Sequence, residues 1–430
     1  MKEKMKRFFS ISKMCMVALV CVMFFGIGMN VKAAAPNKVT GLQQMLQPDE
    51  YYEPTSIALS WKAPGGDVSR YRVEYCEDGK FTPGKVGGGY TSYTSLLLDK
   101  FNLGKSYYFR VAAEDNAGNL GEYSDVVEMV TCPAGSPTSL KQTKAEAKAV
   151  TFSWKKVSGA TTYVVQYGKA GTNPNNYKIK DIGNKTSYKI SASANSKYTV
   201  NVYAVRKSKG GFLAFNYAYK SQTMKTLPSK VSKVKMLLSG DGSRPAAACA
   251  YFTWKESSAA DGYECIFYGN NKKKLFSKDV KSLGSTPYGY GVKIANSKLK
   301  STQFMKIKVR AYVKVNGKKK PGPWSDDVWF AKTPNIKSDK NVNNGIKLTW
   351  SKTAGAKDYT ISVSKSKNSG YKKVATTKKN TYRITSFRGS KISPGNTYYI
   401  KVVANKKVGK KTFTSDKLRL ISVYVYRTYR

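Results

Sequence analysis

Residues 154–167 read WKKVSGATTYVVQY, and the chain repeats the phrase three more times: WKAPGGDVSRYRVEY from Trp61, WKESSAADGYECIFY from Trp254 and WSKTAGAKDYTISVS from Trp350. Each Trp closes a short alternating strand (IALSW, VTFSW, YFTW, IKLTW). A turn of small residues follows. Then comes a second alternating strand led by tyrosine: Tyr71-Val73-Tyr75, Tyr163-Val165-Tyr167, Tyr263-Cys265-Phe267 and Tyr359-Ile361-Val363. A third run lies 44 to 51 residues past each Trp: Tyr107-Phe109-Val111-Ala113, Tyr198-Val200-Val202-Ala204, Met305-Ile307-Val309-Ala311 and Tyr398-Ile400-Val402-Ala404. Period-two alternation with one apolar face specifies antiparallel sheets covered on one side. The Trp spacings of 93, 100 and 96 residues suit whole domains, not solenoid repeats. The expectation is four β-sandwiches of about 100 residues, each with its Trp as a core plug between two sheets and the Tyr-led strand facing it.

The strands outside this phrase strengthen a resemblance. The Trp, the YxVxY strand and the Tyr-x-[FVI]-x-V-x-Ala strand together resemble the fibronectin type III domain. In the last repeat, YKKVATTKKNTYRI (371–384), SPGNTYYIKVVA (393–404) and TSDKLRL (414–420) resemble secreted proteins of Gram-positive bacteria. AEDNAGNLGEYSD (113–125) is similar to a loop of bacterial polysaccharide-degrading enzymes. Met305 departs from the pattern, since it stands where the corner tyrosine belongs. The resemblance implies an all-β chain of four tandem fibronectin type III-like (immunoglobulin-like) β-sandwiches after a signal peptide. The expected divisions are 1–34 signal peptide, 36–132, 134–228, 229–334 and 335–430, with short proline-containing linkers. Four such bodies end to end would extend about 130 Å.

The N-terminus reads as an address. Lys2, Lys4, Lys6, Arg7 and Lys13 precede an uncharged apolar run from Met14 to Met29, and Val31-Lys32-Ala33 and Ala33-Ala34-Ala35 offer small residues at cleavage positions. This is the pattern of a secretory signal; an uncleaved anchor is the alternative reading. The expected location is extracellular, with retention on a cell wall by charge.

The chain has no histidine. That removes the commonest general base, the usual zinc ligand and every Ser/His or Cys/His nucleophile pair. Four sandwiches leave no room for a catalytic domain. Glu114, Asp115, Glu122 and Asp125 are the only carboxylates that suggest an acid/base pair, and their loop also reads as a polar turn. No enzyme activity, cofactor or metal is expected. Cys15 and Cys21 lie in the signal; Cys76, Cys132, Cys249 and Cys265 remain. Strand parity puts Cys265 in a core and turns Cys76 and Cys249 outward. The strands of Cys76 and Cys132 are separated by another strand, about 10 Å apart, so no disulfide is expected.

Charge supplies the functional expectation. The net charge is +49, unevenly spread: residues 36–133 carry 9 basic and 13 acidic residues, 134–228 carry 16 and 2, 229–334 carry 21 and 7, and 335–430 carry 23 and 3. Cationic loops recur between the sixth and seventh strands: Arg206, Lys207 and Lys209; Lys314, Lys318, Lys319 and Lys320; Lys406, Lys407, Lys410 and Lys411. Lys272, Lys273 and Lys274 add a further run. Lysine dominates over arginine, which favours diffuse attraction to phosphate or carboxylate. The partner this points to is an anionic polymer, such as cell-wall teichoic acid or an acidic glycan; a plain solvated surface is the bland alternative. The acidic first repeat is a candidate for a protein ligand, and no specific nucleic-acid recognition is expected. A second candidate site is aromatic: Phe212, Phe215, Tyr217 and Tyr219 could stack sugars, with Trp324 and Trp329 weaker. A passive spacer is the third reading.

Overall fold

The computed structural model describes residues 35–45, 53–215, 218–238, 249–280, 285–286, 289–295, 298–299, 303–342, 345–416 and 420–426. The signal segment, 1–34, lies outside the described residues, as does Tyr217. Among the described residues the named elements are β-strands and a 3-10 turn at Pro174–Asn176. Among the described residues no helix is long and apolar enough to cross a membrane.

Every repeat uses the same pair of antiparallel sheets. In the first, Thr40–Met45, Ile57–Lys62 and Ser95–Leu98 form one sheet, and Gly87–Thr91, Arg70–Cys76, Ser106–Glu114 and Val127–Val130 form the other. The order recurs in the others: the Trp-bearing strand is central in the small sheet, and the Tyr-led strand pairs with the long later strand in the large one. Alternation explains the result directly. With period two, Ile346, Leu348 and Trp350 turn inward from one strand while Lys347 stays exposed.

By compactness the chain divides into two units. One comprises Met1–Lys144, Val150–Ile190 and Lys197–Met224; the other comprises Ala145–Ala149, Ser191–Ser196 and Lys225–Arg430. The first unit holds a core around Trp61, Tyr71, Val73, Phe109 and Val111, and another around Phe152, Trp154, Tyr163 and Val202. The second holds cores around Phe252, Trp254, Tyr263 and Cys265, and around Trp350, Tyr359, Ile361 and Tyr398.

At the centre of each core, Trp and Tyr meet edge to face or tilted. Ring centroids lie 5.2 Å apart for Trp61–Tyr71, 5.4 Å for Trp154–Tyr163, 5.2 Å for Trp254–Tyr263 and 5.4 Å for Trp350–Tyr359. Such pairs add about 0.5–1.5 kcal/mol beyond their buried area. In three repeats the tyrosine does a second job. Its hydroxyl accepts the buried backbone N–H three residues after the Trp, at 2.8 Å from Val157, Ser257 and Thr353. The first repeat has Pro64 at that position, which carries no N–H to donate, and its Trp–Tyr spacing is one residue longer. The corner tyrosines act similarly: Tyr107 accepts from Asn102 N–H at 3.0 Å and Tyr398 from Ser393 N–H at 3.4 Å. Met305 fills that position with buried apolar volume instead.

The thiols correct one expectation. Cys76 does lie on the outer side of its strand by parity, yet it is buried, only 3% exposed. The outer face of that sheet is not bare: Arg110 sits between the Phe81 ring (4.2 Å) and the Tyr123 ring (4.0 Å) and bonds the Glu74 carboxylate. Cys132 is also buried, and Cys265 is wholly enclosed. None of the three is in a disulfide; the Cys249 side chain lies outside what is described. Burial pushes the Cys265 thiol up to about 12.

Two outcomes follow. Tyr359→Phe should orphan the buried Thr353 N–H and destabilise its repeat by about 1–3 kcal/mol, whereas Tyr71→Phe, with Pro64 opposite, should cost much less; hydrogen exchange resolved by repeat would show the contrast. At pH 8, where its thiol is neutral, Cys265 should escape a thiol-alkylating reagent in the native protein and react fully in denaturant, as read by peptide mass mapping.

Candidate functional site

The cationic hairpins do not all face solvent. In the second repeat, Lys197–Lys207 turns back into Leu213–Phe215, with Arg206 opposite Ala214. The Arg206 guanidinium donates to the Gly159 carbonyl at 3.1 Å and to Ser106 Oγ of the first repeat at 2.8 Å. The Lys209 N–H donates to Glu128 Oε2 at 2.7 Å. Phe212 packs beside Val130, Cys132 and Ala214. This hairpin is therefore a joint within the first unit. Arg206 and Phe212 are structural there, which corrects their reading as polymer- and sugar-binding groups; the side chains of Lys207 and Lys209 remain exposed.

The fourth repeat uses the equivalent position in the same way. Lys406, eight residues past Tyr398 as Arg206 is past Tyr198, donates to Asn270 Oδ1 of the third repeat at 3.0 Å and approaches the Gly355 carbonyl at 3.5 Å. It also lies 4.4 Å from the centre of the Trp329 ring. Burial lowers its pKa. Phe304, Trp329 and Ala331 of the third repeat belong to the same buried cluster as Trp350 and Tyr359. Lys406 and Trp329 are thus joint residues and not surface ligands. Lys407, Lys410 and Lys411 stay exposed at the hairpin.

Gly159 and Gly355, each five residues past its Trp, explain why these joints close so tightly. Both hold positive φ, +77° and +81°. A Cβ on Gly159 would stand 2.2 Å from the Gly104 Cα, and one on Gly355 would stand 2.0 Å from Asn270 Oδ1. The third repeat places Val313 and Ala259 at the matching positions, buried with Val315 beside Ala145 and Leu227 in the second unit.

The remaining cations of the third repeat divide. Lys319 pairs with Asp279 and with Glu264 at 3.5 Å, over the Tyr312 ring. Its hydrogen bond to Asp279 raises its pKa. Lys314, Lys318 and Lys320 are exposed at the Asn316-Gly317 hairpin, and Lys272, Lys273 and Lys274 are exposed at another turn. The structure therefore scatters the exposed lysines over several turns and does not gather them into one pocket.

The aromatic candidates are split as well. Phe215 is half-buried against Tyr203, at 6.3 Å between centroids, and Tyr219 is 47% exposed with its ring 5.0 Å from Tyr203. Trp324 lies beneath Arg310 at 4.3 Å. The acidic loop of the first repeat is a structural turn: Glu114 pairs with Arg70 at 2.6 Å, and Glu122 and Asp125 pair with Lys38 at 3.5 and 2.9 Å. Asp115 accepts from the Asn119 side chain, Asn119 N–H and Ala117 N–H, and these bonds hold its carboxyl below the usual range. Among the described residues no group of three or more Cys, Asp or Glu side chains could hold a metal.

One recurring device escaped the sequence reading. Ser124, Ser325 and Ser415 each donate their N–H to the adjacent strand and accept back through Oγ, from Val111, Val309 and Ala404 at 3.1, 3.0 and 3.1 Å. The Ser-Asp dipeptide common to the three positions was its signal.

Gly159→Ala should cost about 1–3 kcal/mol from backbone strain alone. It should also raise hydrogen exchange at Ala134, whose N–H bonds the Ser158 carbonyl at 3.0 Å, while a Gly171→Ala control, with nothing near its Cβ position, should leave that amide protected.

Comparison with known proteins bears on the sandwiches. Residues 51–130 match the family model "Fibronectin type III domain". A stretch of 73 residues is 40% identical to cardiac-type myosin-binding protein C of Gallus gallus, covering 16% of this chain and 6% of that one. The chain thus spans a small fraction of the curated relative it matches. Among solved structures, a two-domain fibronectin type III segment of chicken tenascin is 22% identical over 44% of this chain and 99% of its own, with a TM-score of 0.24. The FN1–FN3 domains of chicken CNTN1 are 16% identical over 69% and 98%, also at 0.24. The matched segment, 51–130, lies in the first repeat, and the other repeats follow the same strand order.

Proposed function

We propose that this is a non-enzymatic adhesion or scaffold protein of tandem fibronectin type III modules, whose basic repeats hold an anionic polymer of the cell wall, a teichoic acid or acidic glycan. The observation that carries this reading is where the carboxylates go. In the basic third repeat five of the seven acids are engaged in ion pairs: Asp261 with Lys225 of the second repeat, Glu264 with Arg310 and Lys319, Asp279 with Lys319, Asp326 with Lys230 and Asp327 with Lys306 and Lys308. Lysines at the turns, among them Lys272, Lys273, Lys274, Lys314, Lys318 and Lys320, are exposed and outnumber these acids. Each exposed cation contributes a small, salt-sensitive increment near a polyanion, and many together give real affinity. The acidic first repeat is the module available to a protein ligand. Secretion with retention by charge fits this role.

The test is co-sedimentation of the protein with purified Gram-positive walls across a salt series, beside walls stripped of teichoic acid. Binding should fall steeply as salt rises and should be lost on stripping. Binding that ignores salt would point instead to a neutral glycan stacked on Tyr219; no binding at physiological salt would overturn the proposal.

A further inference from the structure

One cationic feature of the fourth repeat is not on a hairpin. It lies on the open face of the small sheet formed by Ile336–Val342, Gly345–Trp350 and Thr381–Ile384. Lys340 is directly opposite Lys347, and Lys347 is directly opposite Arg383. All three are exposed, so one cross-strand row carries three positive charges. The next row on the same face is Ser338, Thr349 and Thr381. Ser338 Oγ and Thr349 Oγ1 lie 2.6 Å apart, and Thr381 Oγ1 donates to the Leu348 carbonyl at 2.8 Å. Asp339 is exposed at the sheet edge next to Lys340, but it stands opposite Leu348 and so outside this cross-strand row.

The fold does not require those charges. Counting from each Trp, the same row in the first repeat is Met45, Ala58 and Leu97. The second repeat has Thr151 and Lys189 at matching positions, and the third has Tyr251 opposite Lys293. One structural row is apolar in the first repeat and wholly cationic in the last. Like charges directly opposite one another disfavour strand pairing, and an anion lying across the row would offset that.

We infer that the row Lys340, Lys347 and Arg383, with the hydroxyl row beside it, is a binding site for a linear polymer of phosphodiesters that carries no bases. This rests on the polyanion-binding reading and names its class of ligand and its principal contact. Strands are spaced about 5 Å apart, so three cations across the sheet bracket two successive anions of a chain running perpendicular to the strands. Tetrahedral phosphate oxygens can take an ammonium or guanidinium on one side and a hydroxyl on the other. The face presents no aromatic side chain among the described residues, since Tyr382 packs on the core, so nucleobases find no stacking platform.

The experiment compares the chain with the triple variant Lys340→Thr, Lys347→Thr, Arg383→Thr. The control removes the same charge from exposed lysines of the same repeat: Lys352→Gln, Lys357→Gln, Lys391→Gln. Probes are poly(glycerol phosphate), polyglutamate and poly(dT), each titrated across a salt series. The row variant should bind poly(glycerol phosphate) at least about tenfold more weakly, with its salt slope reduced by about 2 to 3, and its melting temperature should hold or rise. The control should lose threefold or less. Equal losses in the two variants would overturn the site while leaving general polyanion binding intact. Tighter binding of polyglutamate or poly(dT) would overturn the phosphodiester assignment. If the unaltered chain binds none of the three, the broader reading fails with it.

Discussion

The contact between Trp and Tyr across two sheets, closed in three of the repeats by the tyrosine hydroxyl on a turn amide, is what the repeats depend on. The indole fills the space between the sheets. The tyrosine ring fixes the distance to the facing strand, and its hydroxyl satisfies a backbone donor that the turn would otherwise bury unpaired. The indole N–H groups of Trp61, Trp154, Trp254 and Trp350 have no such partner among the described residues. The small residues after the Trp follow from the same geometry, since the chain must cross from sheet to sheet within a tyrosine's reach.

Much of this was legible in the sequence, because it is local and periodic. Trp350, Ile361 and Val402 declare their faces by alternation, and their burial follows. What alternation could not show was anything created when two repeats meet. Arg206 reads as one more loop cation until Ser106, a hundred residues away in sequence, supplies its partner. Phe212 reads as exposed until Cys132 covers it. Cys76 obeys parity but is buried, because the outer face of a sheet can carry its own packed layer. The turn lysines Lys207, Lys209, Lys410 and Lys411 are exposed, as charge at a hairpin tip leads one to expect.

The charge distribution has a comparable logic. Cross-strand register decides whether a lysine meets an acid, a hydroxyl or another lysine, and the sequence spacing of Lys340, Lys347 and Arg383 does not reveal that they share a row. The third repeat spends its carboxylates on a ladder across its large sheet, with Lys306, Lys308 and Arg310 from one strand facing Glu264 and Asp327. The fourth has almost no acids to spend. Its small sheet sets cation opposite cation, where the large sheet of the third sets cation beside acid.

The bases of the hairpins give each repeat an identity. The second meets its neighbour with an arginine over a glycine, the third buries a valine over an alanine, and the fourth uses a lysine over a glycine. These are different chemistries at one structural position, so the repeats are not interchangeable beads. Exchange of the third and fourth would set a buried ammonium against apolar carbon in one place and leave Asn270 without its donor in another. The order of the modules is therefore written into the modules themselves, a form of addressing that operates within a chain whose repeats otherwise share one plan.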